Sequence, residues 1–323
     1  MKLSIVAGLL SLAFIYQASD SARAADSRLV IYSAEEAVQD FAERYMREHP
    51  NVDVQVLMGS SGETNARVAA ERHAPQGDVT ISGTDPSQAN PDLYRRVAGI
   101  LDLSQVDKRF ISGEFDIPVE VFPVIFAYNT AQLASDTAPS TWAELADPKW
   151  KGRLYMGNPA TSEAAYKAMS TMWAIGGWEL VEKVAANAII TEGSQDPLRA
   201  LGDGEATIGI GVENQVYKWA DGQAVKAVYP KDGVIMHVAT WYLVNNSPNT
   251  DGAAAFVQWM LTPETQAYMA KTFKGMRPSI VGAAEPDDVP KVGDLVVIPF
   301  PDEARSKRAA FNERWKSIIT SIH

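Results

Sequence analysis

The spacing of apolar residues changes period several times along the chain. Residues 3–16 form a nearly unbroken apolar run behind Met1 and Lys2, and Ala22-Arg23-Ala24 follows as a small-x-small site. That order reads as a signal peptide over residues 1–24, cleaved near Ala24. The run is shorter than the roughly 20 apolar residues a membrane helix needs. Residues 29–32 are a short strand, and Val38, Phe41, Ala42, Tyr45 and Met46 recur at helical spacing over residues 34–48. Val52, Val54 and Val56 alternate as a strand, residues 63–72 read as a helix, and residues 78–82 as a third strand. Strand and helix in alternation predict a parallel sheet covered by helices.

A second unit of the same kind follows. Residues 119–128 form a long apolar strand containing Pro123, and Thr141-Trp142-Ala143-Glu144 has the form of a capping box opening a helix. Strands are expected at 153–156, 206–211, 225–229 and 241–244. Helices are expected from Ser162 through Trp173, at 214–219, 251–261 and 263–271, and over 304–322 with Ala309, Phe311, Trp315 and Ile318 inward. Two α/β units with crossovers near 119–128 and 235–245 predict two lobes around a cleft.

Composition narrows the function classes. The formal charge is −11, and loss of Lys2, Asp20 and Arg23 with the leader makes it about −12 by the same count. An acidic surface repels nucleic acid and anionic lipid. The chain has no cysteine, which excludes disulfides, thiolate metal sites, a cysteine nucleophile and a lipid-bearing cysteine. Its four histidines, His49, His73, His237 and His323, show no metalloprotease spacing, and Gly59-Ser60-Ser61-Gly62 matches neither a nucleophile elbow nor a Walker loop. No enzyme chemistry and no cofactor are implied.

The candidate binding residues lie just after strands, where open α/β sheets hold ligands. In the first unit these are Ser33, Ser60, Ser61, Gly62, Gly83 and Thr84; in the second they are Thr161, Ser162, Glu213 and Asn214. Unpaired N–H groups at helix starts favour anions. The same Ser, Thr and Asn residues also serve as ordinary helix caps. Glu213 suits hydroxyls or an ammonium group, or is a first-turn acid favoured by the helix dipole. Trp241 is placed either to stack on a ligand or to pack in the core.

Val30-Ile31-Tyr32-Ser33, Gly59-Ser60-Ser61-Gly62-Glu63, Gly77-Asp78-Val79, Ser82-Gly83-Thr84, Asp147-Pro148-Lys149-Trp150-Lys151-Gly152, Asp203-Gly204-Glu205 and Arg277-Pro278 stand in an order that resembles one family. It is that of the periplasmic substrate-binding proteins of ABC importers, ferric-ion-binding type. The resemblance implies a type II two-lobed fold with a hinge. Lobe 1 would comprise 25–118 plus 236–275, and lobe 2 119–235 plus 276–323. It also implies a monomer that diffuses in the periplasm and delivers its solute to a membrane permease. Where the ferric branch carries a histidine, a glutamate and a tandem tyrosine pair, this chain has Glu36, Gly83 and Asn214-Gln215. Ferric iron needs anionic oxygen donors, so the resemblance shifts to the relatives that take sugar phosphates first and aminoalkylphosphonates second. Iron carriage and an exported hydrolase are the alternatives.

Overall fold

A computed structural model describes residues 27–59, 61–82, 90–220 and 222–322. The leader expected at 1–24 lies outside the described residues, as do Ser60, Gly83 and Thr84. The first unit is β1 (Ser27–Ser33), α1 (Ala37–Glu48), β2 (Val52–Met58), α2 (Ser61–Ala70) and β3 (Val79–Ser82). β1 pairs in parallel with both β2 and β3. It is buried on both faces, with Leu29 and Ile31 in one apolar cluster and Val30 and Tyr32 in another. A central parallel strand needs that continuous apolar run. The helical stripe of α1 buries Val38, Phe41, Ala42 and Tyr45 as its spacing requires.

The chain continues through β4 (Ile117–Asn129), β5 (Leu154–Gly157), α3 (Glu163–Asn187), β6 (Ala188–Thr191), α4 (Asp196–Gly202), β7 (Ile208–Val212), α5 (Glu213–Ala220) and β8 (Val225–Val228). It ends with β9 (Met236–Leu243), α6 (Thr250–Met260), α7 (Pro263–Thr272), β10 (Arg277–Pro278), α8 (Asp302–Ser306) and α9 (Arg308–Ile322). The strands run in the order β2-β1-β3-β9-β4-β7-β5-β6, with β8 and β10 also on β4.

β4 belongs to both halves. Residues 117–123 pair antiparallel with β9, and residues 124–129 pair with β7 and β8. The exchange of partners falls at Pro123, the last residue opposite β9. Proline has no N–H to give a ladder, so it is tolerated where one partner strand is left for the next. All 13 residues of β4 are buried.

Several boundaries differ from the sequence expectation. α3 does not stop at Trp173; it breaks at Gly176-Gly177, where Gly177 takes φ 64°, and resumes to Asn187. Only glycine enters that backbone region without strain. β6 was not anticipated, because Ala188-Ile189-Ile190-Thr191 carries no period of its own. Thr141 Oγ1 accepts from Glu144 N at 3.2 Å, but the helix it opens is a single 3-10 turn, Ala143–Ala146. β9 begins at Met236, five residues before the expected strand. On α9, Phe311, Trp315 and Ile318 are buried, whereas Ala309 is exposed, because it lies about 200° around the helix from Phe311.

Candidate functional site

A cleft of about 1510 Å³ opens between the two half-sheets. Glu35, Glu36 and Gly59 line it from the first half, and Asn214, Gln215 and Lys218 from the second. Phe122, His237 and Ala239, on the strands between the halves, also line it. Lys218 Nζ on α5 reaches Glu36 Oε1 at 3.0 Å, joining residues 182 positions apart across the cleft. Lys226 and Lys274 are the other cations of the lining.

The face presented by β4 and β9 is set by a bulge. Opposite β9, Ile117 pairs with Trp241 and Pro118 with Thr240, but the next pair is Glu120 with Ala239, then Phe122 with His237. Val119 is the extra residue. Directly paired residues share a sheet face. Glu120 therefore stands on the side of Phe122, His237 and Ala239. It is 2% exposed, and its Oε2 finds no hydrogen-bond partner among the described residues. Two carbonyls at the bulge are held from outside: Gln266 Nε2 donates to Val119 O at 2.9 Å and Ser279 Oγ to Pro118 O at 2.7 Å.

The electrostatics of this region are unusual. Burial, with the Glu36 charge adding and Lys218 opposing, pushes the Glu35 carboxyl up to about 7. Burial, reinforced by the nearby Glu35, raises Glu120 well above the glutamate range. Burial lowers His237 to about 4, which keeps it neutral, and its Nδ1 has no partner among the described residues. Gln215 Oε1 is likewise a buried acceptor without a partner there.

The described residues among those singled out from the sequence fall in four groups. Asn214 lines the cleft, its Oδ1 accepting from Gln215 N at 2.8 Å. Ser33, Thr161 and Ser162 are engaged in local structure. Ser33 Oγ accepts from Glu35 N at 2.8 Å, Ser162 Oγ caps α3 by accepting from Ala165 N at 3.3 Å, and Thr161 Oγ1 donates to Glu192 O at 3.2 Å. Gly62 sits exposed on α2. Ser61 starts that helix.

Glu213 and Trp241 differ most from their expected place. Glu213 is fully buried and is gripped bidentately by Arg277, Nε to Oε2 at 2.6 Å and Nη2 to Oε1 at 2.7 Å. Tyr229 donates its hydroxyl to the same carboxylate. Trp241 is 0% exposed and stacks on Phe256 with ring centroids 6.0 Å apart, so it packs the core. Glu35, Glu120, Lys218 and His237 were not picked out from the sequence as binding residues, and Gln215 was singled out only for standing, with Asn214, at the place of the ferric branch's tyrosine pair. Glu120 did carry a signal there, as the one charged residue within the apolar run 117–129.

Comparison with known proteins agrees with this architecture. Residues 29–273 match the family described as bacterial extracellular solute-binding protein. An uncharacterized protein of Haemophilus influenzae is 26% identical, over 98% of this chain and 96% of its own length. A Fe(3+)-binding periplasmic protein of Serratia marcescens is 23% identical over 81% of each chain. One from Salmonella typhimurium, provisionally named a 2-aminoethylphosphonate-binding periplasmic protein, is 24% identical over 70% of this chain and 69% of its own. Among solved structures, the periplasmic binding protein AfuA from Actinobacillus pleuropneumoniae, with exogenous fructose-6-phosphate bound, superposes with a TM-score of 0.77. That match has 24% identity and covers 91% of this chain and 99% of the other. The chain belongs to the bacterial extracellular solute-binding proteins, the periplasmic binding proteins of ABC transporters, and has their type II fold of two α/β lobes around a central cleft.

Proposed function

We propose that the cleft captures a small phosphorylated organic solute, a sugar phosphate or a phosphonate, and that the loaded protein delivers it to a membrane permease. The observation that carries this reading is the polar inventory of the second wall. Asn214 and Gln215, in the first turn of α5, stand where the sequence resemblance puts the ferric branch's tyrosine pair, and they line the same cavity as Lys218, Lys226 and Lys274. Amides and ammonium groups suit phosphate oxygens and hydroxyls, and they are poor ligands for a hard trivalent cation.

The nearby phenols support the same choice. Tyr217 and Tyr229 are 3.0 Å apart, hydroxyl to hydroxyl, and Tyr229 also bonds Glu213. Burial and the Glu213 carboxylate raise Tyr229 far above the ordinary tyrosine range, away from the phenolate iron needs. Among the described residues, no three or more His, Asp or Glu side chains come together as a metal site. Hinge motion at β4 and near β9 would close the lobes on the solute.

Titration calorimetry tests the reading with fructose 6-phosphate, 2-aminoethylphosphonate, inorganic phosphate and ferric citrate. A saturable one-site isotherm with an organic phosphate or phosphonate is expected. At a hundredfold excess over Kd such a ligand should stabilise the fold by about 2.7 kcal/mol. No heat with any phosphorylated compound, together with a visible charge-transfer band on adding ferric iron, would sink it.

A further inference from the structure

The lysines and amides explain one part of the cleft and leave its acidic side unassigned. Glu120 is buried on the sheet face that also presents Phe122, His237 and Ala239 to the cavity. One of its oxygens has no partner among the described residues. Glu35 lines the same cavity from the turn between β1 and α1, close enough for its charge to act on Glu120. Lys218 influences Glu35, but its ammonium group bonds Glu36. His237 stays neutral there and supplies no cation.

A buried carboxylate is strongly destabilising unless a donor-rich cation meets it. Two such groups near one another cannot both ionise unless positive charge arrives from outside. An ammonium group does this with three N–H donors on one compact charge. Gln215 Oε1 adds a further acceptor in the same cavity.

Resting on the phosphorylated-solute reading above, we infer that Glu35 and Glu120 form an ammonium subsite. The solute is then a zwitterion, a phosphate ester or phosphonate that also bears a primary amine.

Matched pairs of ligands test this on the full mature protein by calorimetry: glucosamine 6-phosphate against glucose 6-phosphate, and 2-aminoethylphosphonate against ethylphosphonate. The amine-bearing member of at least one pair should bind about 30-fold or more tighter, the lower bound for losing one partner of a buried charge pair. Glu120→Gln keeps the side-chain shape and should shrink that preference below about threefold. Where Glu120→Gln fails to fold, Glu35→Gln carries the same test. Equal affinity within a pair that binds overturns the ammonium subsite and leaves the phosphorylated reading standing. An undiminished amine preference in both variants also overturns it. Heat from ethanolamine, with none from the four phosphorylated ligands, supports the subsite and overturns the phosphorylated reading.

Discussion

Replacing Glu213 by glutamine separates a structural role from a ligand-binding one. Glu213 and Arg277 are both 0% exposed and share two bonds of 2.6 and 2.7 Å. Arg277 also donates to Glu285 Oε2 at 2.8 Å and Pro290 O at 2.7 Å. Burial pushes the Glu213 carboxyl up, and the bonds from Arg277 and Tyr229 pull it back. Burial alone would lower the Arg277 guanidinium, but Glu213 holds it above its usual value. Glu213→Gln leaves a buried guanidinium facing an amide that also donates. Breaking a buried pair this way costs about 3–5 kcal/mol, a large share of the roughly 5–15 kcal/mol that holds a domain.

The size of the thermal shift follows from chain length. At about 2.1 cal/mol/K per residue, some 300 folded residues have an unfolding entropy of about 0.6 kcal/mol/K, so Tm should fall by about 5–8 °C. Differential scanning calorimetry measures the shift, and solute titration below the transition measures affinity. Affinity should be unchanged. An unaltered Tm with lost affinity would refute the structural role and return Glu213 to the solute. The double variant Glu213→Leu/Arg277→Met should recover part of the loss, because apolar replacement of a whole buried pair is often neutral or better.

Two further predictions concern pH and a cap. His237 is lowered from 6.5 to about 4, so the folded state binds fewer protons in that window; stability present above 6.5 is lost as pH falls toward 4, by about 3 kcal/mol. Glu35 is raised from 4.5 to about 7, so the folded state binds more protons there; stability present below 4.5 is lost as pH rises through 7, by a similar amount. The two slopes oppose each other between 4.5 and 6.5. Urea unfolding across that range should show His237→Asn gaining stability on acidification relative to the parent and Glu35→Gln losing it; two variants that both track the parent would refute the assignment. Separately, Asn249 accepts from Gly252 N at 2.9 Å as the cap of α6 and donates to Ser27 Oγ and Arg28 O, each at 2.7 Å. Asn249→Ala should cost about 1–2 kcal/mol in urea unfolding, and a loss below about 0.3 kcal/mol would show that the cap contributes little.

Much of the fold is legible in the sequence because it depends on neighbours along the chain. The stripe of α1, the apolar run of β4 and the Phe311, Trp315 and Ile318 face of α9 are written in local period. What resists reading is decided by residues far apart. A glutamate at a strand end looks the same whether water or an arginine meets it, and Arg277 is 64 positions from Glu213. Ser33 and Ser162 carry the residue types of an anion site and of a cap alike, and their hydroxyls are used on Glu35 N and Ala165 N.

The acidic side of the cleft shows why strand-end reasoning overlooked it. Glu35 lies two residues past the end of β1, but Glu120 does not sit at a strand end. It lies on the face of the strands between the halves, and which face Glu120 takes depends on one residue. Under strict alternation from Ile117, opposite Trp241, Val119 would face the cleft side and Glu120 the other. The bulge at Val119 reverses that, turning Glu120 toward His237 and Phe122. The bulge in turn is held by Gln266 of α7 and by Ser279 just after β10, which bond the carbonyls of Val119 and Pro118. Both come from parts of the chain about 150 residues away, and both are fully buried. A glutamate inside an apolar strand is thus the visible half of the signal. The half that sets it on the face of Phe122 and His237 is an amide and a hydroxyl elsewhere in the sequence, whose role appears only once the chain has folded back over β4.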